Sequence, residues 1–141
     1  MNNTVVLMPP DADELLALAA EAREKAYAGY SRFAVGAALR TRSGKVYTGC
    51  NIENASYGLT VCAERVAIWK AVSEGETEFE ALAVVTSIGG SPCGACRQVM
   101  AEFALDMPVI IADLEKVRSV NTVAELLPDA FLPGDLLSAA R

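Results

Sequence analysis

Two short blocks hold the residues best suited to chemistry: Thr60-Val61-Cys62-Ala63-Glu64-Arg65 and Ser91-Pro92-Cys93-Gly94-Ala95-Cys96-Arg97-Gln98. Each is followed by a helical pattern. Cys93 and Cys96 are three residues apart at a helix start, which puts their sulfurs on one face. Pro92 stands where a helix start tolerates proline. Cys62 opens the other helix. Free N–H groups and the positive end of the helix dipole favour thiolates at such positions. Three thiolates with one open position make a catalytic zinc centre rather than a closed structural one, with water in the fourth place. The chain has no histidine, so metal ligands and any general base must come from Cys, Asp, Glu or Tyr.

Glu64 follows Cys62 by two residues. Inside a helix that spacing separates side chains. In a first turn they can converge ahead of the N-terminus, where Glu64 reaches metal-bound water as a proton shuttle. Arg65, three residues after Cys62, shares its face. Three thiolates exceed the charge of Zn²⁺ by one, and a guanidinium bonded to a thiolate withdraws density and restores the acidity of the bound water. Taken alone, Cys-x-x-Cys also fits a redox pair, half of a structural zinc site, or two core cysteines. A closed site needs a fourth ligand, and Cys50 is the one spare thiol. At the end of a predicted strand it reads instead as a small buried hydrophobe. The redox reading leaves Cys62-Ala63-Glu64 without a purpose.

The elements that must position these blocks follow from periodicity. Pro9-Pro10 ends a short disordered or extended start. Asp11 and Glu14 have capping-box spacing, opening a helix that carries Leu15, Leu18, Ala19, Ala22 and Ala26 and ends near Gly29. Residues 34–39 and 45–52 read as strands joined at Ser43-Gly44 in a hairpin. Residues 51–58 form a polar loop. A helix runs from Cys62 to Glu74, stopped by Gly75. Residues 81–85 are a strand buried on both faces, 93–105 a helix, 109–112 a strand and 117–120 another. Thr122 and Glu125 form a capping box for a short helix ended by Pro128, and a last helix covers residues 132–140. The order αββαβαββ with a helical tail is that of one α/β domain spanning residues 1–141, with a largely parallel region beside the hairpin.

Composition narrows the function classes. A chain of 141 residues, just over half of them hydrophobic, fits one domain with a real core. No apolar run approaches the ~20 residues of a membrane span, and no signal peptide is visible at residues 1–8. Cytoplasmic residence is expected, where four cysteines read as ligands or thiols rather than disulfides. The net charge of −6, with 12 scattered basic residues, disfavours a nucleic-acid partner and suits a small neutral substrate.

Four blocks in this order resemble the small, homotetrameric, zinc-dependent cytidine deaminases: Tyr30-Ser31-Arg32-Phe33-Ala34-Val35-Gly36-Ala37-Ala38, Gly49-Cys50-Asn51-Ile52-Glu53-Asn54, Cys62-Ala63-Glu64-Arg65 and Pro92-Cys93-Gly94-Ala95-Cys96-Arg97-Gln98. Cys-Ala-Glu followed by Pro-Cys-x-x-Cys is the all-cysteine form of the zinc deaminase signature. The resemblance covers nearly the whole chain. It departs at Gly29, where the family often has proline.

The resemblance implies a three-layer α/β/α fold with a mixed five-stranded sheet, and one zinc per chain on Cys62, Cys93 and Cys96. It implies that a zinc-bound hydroxide attacks C4 of free cytidine or deoxycytidine, with Glu64 moving the proton, to release ammonia in pyrimidine salvage. Asn51 and Glu53 resemble the pair that holds a ribose hydroxyl, and Phe33 the aromatic lying against the pyrimidine. Phe131 matches an aromatic that reaches a neighbouring subunit's site in a homotetramer. Ala55 and Tyr57 fall in a loop like the family's inter-subunit contact, and Arg65 stands behind the metal. Arg97 reads as structural.

A blasticidin-type aminohydrolase shares the zinc core, but Arg65 and the Asn51/Glu53 pair favour cytidine. A nucleic-acid editing module needs basic or aromatic platforms that this chain lacks. A non-catalytic zinc domain gains nothing from Glu64.

Overall fold

Strands β1 (Val35–Thr41) and β2 (Val46–Cys50) form the expected hairpin, and Gly44 turns it at φ 91°, a left-handed conformation that costs glycine nothing. The computed structural model describes residues 7–139. β1 also pairs antiparallel with β3 (Phe79–Thr86), β3 pairs parallel with β4 (Pro108–Ala112), and β4 pairs antiparallel with β5 (Val117–Thr122). The sheet order is β2-β1-β3-β4-β5. The sheet is mixed, as expected, but the largely parallel region is not there: among the described residues β3 and β4 are its single parallel neighbours. β1 sits between β2 and β3, so the crossover from β2 joins strands that run the same way without touching. β5 returns through the tight turn 113–116, which can join only antiparallel strands.

Helix α1 (Ala12–Arg23) covers one face of the sheet, and α2 (Ala63–Ser73) and α3 (Gly94–Phe103) cover the other. This gives the three layers α/β/α. Side chains alternate between the two cores with the period of a strand. Ala37, Leu39, Val84, Val109 and Ile111 pack toward α2 and α3. Ala38, Ala83, Val85 and Ile110 pack toward α1 with Leu15 and Ala19. Two glycines let the helices lie close on the hairpin. A β-carbon at Gly36 would overlap the Ala19 carbonyl of α1, and one at Gly49 would overlap the Ala63 carbonyl at the start of α2. The close seat of α2 matters because its first turn carries two of the chemical residues.

Departures from the sequence expectations cluster at helix ends. Asp11 makes no capping bond. Arg40, reaching across from β1, ion-pairs with both Asp11 and Glu14 and so takes the carboxylates the capping box would have used. α1 stops at Arg23 rather than near Gly29. The chain beyond it is drawn against the polar loop, where Tyr27 N–H donates to the Asn51 carbonyl and Glu53 N–H to the Tyr27 carbonyl. The second capping box does form, between Thr122 and Glu125, at the start of α4 (Val123–Leu126). A final helix, α5 (Pro133–Ala139), matches the expected tail, except that Ala140 lies outside the described residues. The expected disordered or extended start also falls mostly outside them. Among the described residues no helix is long and apolar enough to cross a membrane.

Candidate active site

Because β1 is antiparallel to both β2 and β3, its start lies at the same edge of the sheet as their ends. Val35 faces Thr86, and Gly36 faces Cys50, across the ladders. The helices that follow β2 and β3 begin at that edge. Cys62 is the N-cap residue of α2 and Cys93 that of α3, both in extended backbone conformations, with Cys96 in the first turn of α3. Two helix N-termini, with their unpaired N–H groups and positive dipole ends, therefore converge on one spot.

The three sulfurs meet there. Cys62 Sγ is 3.7 Å from Cys93 Sγ, which is 3.5 Å from Cys96 Sγ, and all three lie within 4.8 Å of one another. Tetrahedral zinc with Zn–S bonds of ~2.3 Å sets its sulfurs roughly 3.8 Å apart, so the trio fits a zinc ion, and soft thiolate ligands suit that metal. The Cys96 S–H bond and the Arg65 guanidinium pull the Cys62 thiol well below its ordinary range. The same bond to Cys62, together with burial, pushes Cys96 up. Arg65 Nη2 donates to Cys62 Sγ at 3.4 Å, and that bond holds the guanidinium in its charged form. The guanidinium also lies over the Trp69 ring, 5.9 Å from its centre, while its Nε is buried with no partner among the described residues. Arg65 is thus held against Cys62 and Trp69. Cys50 is elsewhere: half-buried, with Sγ toward the Lys25 carbonyl at 3.5 Å.

In front of the sulfurs is a cavity of about 400 Å³, lined by Cys62, Glu64 and Cys93 on one side and by Phe33, Asn51 and Glu53 on another. Its size is that of a small-molecule site. Glu64 converges on the cavity with Cys62, as a first-turn position allows. It is 4% exposed, and among the described residues no lysine or arginine forms an ion pair with it. Burial raises the proton affinity of its carboxyl.

Asn51 and Glu53 are buried and already engaged. Asn51 Oδ1 accepts from Val35 N–H at 2.9 Å, and its Nδ2 donates to the Phe33 carbonyl at 2.7 Å. Glu53 accepts from the N–H groups of Tyr30 and Ser31 and from the Ser31 hydroxyl, and those bonds, the hydroxyl's foremost, lower its carboxyl below the usual range. Ser31 Oγ in turn accepts from Phe33 N–H at 3.0 Å. Arg32 between them holds φ 58°, an uncommon conformation for a residue with a β-carbon. These bonds place Phe33 at the cavity wall.

Ala55, Tyr57 and Phe131 are not brought to this cavity. All three are exposed. Tyr57 stacks edge-on against Tyr30, their rings 6.0 Å apart, and the Phe131 carbonyl accepts from Gln98 Nε2 at 2.7 Å. Sequence reasoning gave no part to Ser31, Thr60, Val84, Thr86 or Ile88, which also line the cavity. Ser31 stands inside the quoted Tyr-Ser-Arg-Phe block, so a signal was present. Val84 and Thr86 carry none, since they look like any residues of a buried strand. Arg97 is structural as expected: it donates to the Pro92 carbonyl, the Ser91 hydroxyl and the Leu126 carbonyl.

Residues 9–112 match the family described as the cytidine and deoxycytidylate deaminase zinc-binding region. A cytidine deaminase of Sporosarcina psychrophila is 53% identical over 134 residues, which span 93% of this chain and 98% of the relative. One from Halalkalibacterium halodurans is 53% identical over 129 residues, 89% of this chain and 98% of the relative. The crystal structure of cytidine deaminase from Burkholderia pseudomallei superposes with a TM-score of 0.81 at 51% identity, covering 88% of this chain and 100% of that one.

Proposed function

This chain belongs to the cytidine and deoxycytidylate deaminase family, and from that premise we propose how its site works. The activity is hydrolytic deamination of free cytidine and deoxycytidine, giving uridine or deoxyuridine and ammonia. The observation that carries this reading is Glu64, buried and, among the described residues, in no ion pair, beside three thiols that fit one zinc ion. A buried, unpaired carboxylate is costly, and a merely structural metal site gains nothing from it.

Cys62, Cys93 and Cys96 would hold the zinc, which supplies Lewis acidity that makes water a nucleophile at neutral pH. Glu64 would take a proton from the attacking water and pass it to N3 of the pyrimidine as the water oxygen bonds to C4, and would then move the remaining hydroxyl proton to the amino group, so that the C4–N bond breaks, ammonia leaves and C4 becomes a carbonyl. Its raised proton affinity suits a group that must hold a proton and release it within one turnover. Arg65 spreads the excess charge of the thiolates. Phe33 lies against the base. Asn51 keeps one amide hydrogen and one lone pair for a ribose hydroxyl after its two backbone bonds, and Glu53 keeps acceptor capacity on its carboxylate.

The exposed apolar surface supports assembly into a homotetramer. Trp69, Leu59 and Ile52, all substantially exposed, line a second hollow of about 340 Å³ on the outer side of α2, a surface that a further copy would cover. Ala55, Tyr57 and Phe131 are exposed, and in that tetramer Phe131 would serve a neighbour's site. The chain works as one domain, a reading supported by relatives that match along 93% of its length. Four cysteines without a disulfide agree with a reducing cytoplasm. The test is ultraviolet absorbance after mixing with cytidine, blasticidin S or a cytosine-containing oligonucleotide. Loss of the cytosine band with cytidine alone is expected, and turnover of another substrate in its place would overturn the reading.

A further inference from the structure

Residues 87–92 link the end of β3 to Cys93, and Ile88, Gly90 and Ser91 among them form part of the cavity wall. Two anchors secure the base of this loop. Gly90 N–H donates to Thr86 Oγ1 at 2.8 Å, and Arg97 bonds the Ser91 hydroxyl and the Pro92 carbonyl at 2.7 and 2.8 Å. The apex is different. Gly89 has φ 67°, and a β-carbon there would overlap Arg118 Cγ and touch its Cβ and Cδ at 3.4 Å. The aliphatic stem of Arg118, reaching over from the edge strand β5, therefore lies flat on the backbone of Gly89.

Arg118 is in turn held from behind. Its Nε donates to Asp113 Oδ2 at 2.5 Å. The other oxygen of Asp113 accepts from the N–H groups of Glu115 and Lys116 at 2.7 and 2.8 Å, and the side chain of Asp113 is only 8% exposed while that of Arg118 is 49% exposed. The turn between β4 and β5 thus aims a carboxylate that fixes a long side chain, and that side chain backs the apex of the cavity loop. None of the three residues belongs to the zinc blocks.

We propose that Arg118, locked by Asp113, is a positioning residue that holds the 87–92 loop in its substrate-ready shape and so sets how readily the site takes up a nucleoside. The inference rests on the deaminase reading of the same cavity. Without the stem, the apex carrying Ile88 samples positions away from the cavity, and binding must first restore the closed fraction. Apparent affinity falls by that fraction. The chemical step is spared, because Cys93 and Glu64 stand on helix starts that the Arg97 clamp and Gly49 secure.

The test is steady-state kinetics with cytidine on zinc-loaded Arg118→Ala, Arg118→Lys and Asp113→Asn. We expect Arg118→Ala to raise KM about tenfold with kcat within about twofold. Arg118→Lys keeps stem and charge and should return most of the loss, and Asp113→Asn should fall between. Unchanged KM in Arg118→Ala, or a fall in kcat alone, overturns the proposal. If Arg118→Ala does not fold, Arg118→Met, which keeps a stem without the ion pair, is measured in its place; a KM equal to that of the parent overturns the proposal, and a raised one supports it. Amide hydrogen exchange at residues 88–91 gives a readout independent of turnover. Faster exchange there in the variant supports the proposal even if the parent protein deaminates no cytidine, an outcome that would sink the deaminase reading alone. Equal exchange in parent and variant overturns it.

Discussion

In the proposed mechanism Glu64 holds a proton and lets it go again within one catalytic cycle, and its burial, which raises the proton affinity of its carboxyl, suits that part. Glu64→Gln keeps the shape and removes the shuttle. We expect it to retain zinc and fold while losing kcat by several orders of magnitude, since the group acts at more than one proton transfer; near-normal turnover would show that another group carries the proton. Cys50, apart from the sulfur trio, should be dispensable. Cys50→Ser is expected to bind one zinc per chain, measured by metal analysis, and loss of metal would instead favour a closed four-cysteine site. Cytidine should be a far better substrate than its 5′-monophosphate, because Glu53 sits in the cavity wall of an acidic chain and repels a phosphate; comparable kcat/KM for the two would contradict this. At this scale the sequence was most readable where chemistry restricts residue type. Few side chains bind zinc or move a proton, so Cys62, Glu64, Cys93 and Cys96 stood out. Ser31 stood in a marked block, but its pairing with Glu53, 22 residues on, was not legible, and neither was the contact of Arg118 with Gly89, because nothing local marks either pairing.

Helix α2 places its chemistry by lying close on the hairpin, and Gly49 makes that possible. A methyl group there meets backbone, which cannot move aside as a flexible side chain can. Gly49→Ala should cost on the order of 1–3 kcal/mol and lower zinc occupancy, because the displaced turn carries Cys62. Gly36→Ala presses on α1 in the same way and should cost a similar amount, yet its folded fraction should keep full zinc, because α1 supplies no ligand. Thermal melting and metal content on both variants check the contrast; equal zinc loss in both would contradict it. Element identities were legible from hydrophobic period, and all five strands and both site helices appear where the pattern put them. Adjacency was less so. Placing β1 between β2 and β3 depends on which edges pair in space, so the parallel region was overestimated. The capping box at Asp11 failed for a related reason: Arg40 competes for its carboxylates from another layer.

In the proposed homotetramer residues 55, 57 and 131, all exposed in the single chain, would meet neighbouring copies. Glu64→Ala and Phe131→Ala chains, mixed within one oligomer, should then form some sites with Glu64 from one chain and Phe131 from the other. Activity per chain should exceed the mean of the two pure variants, and activity equal to that mean in proven mixed oligomers would confine Phe131 to its own chain. The fold class was readable at this scale because helices between strands at these spacings leave few topologies, whereas the shared site was implied by family resemblance alone. The central claim, that three thiolates and Glu64 make a zinc hydrolase for cytidine, is tested most directly by measuring zinc per chain and the products of cytidine in one preparation. The account predicts one zinc per chain, with uridine and ammonia released in equal amounts and both ceasing when the metal is stripped. A preparation with one zinc per chain that leaves cytidine unchanged would contradict it.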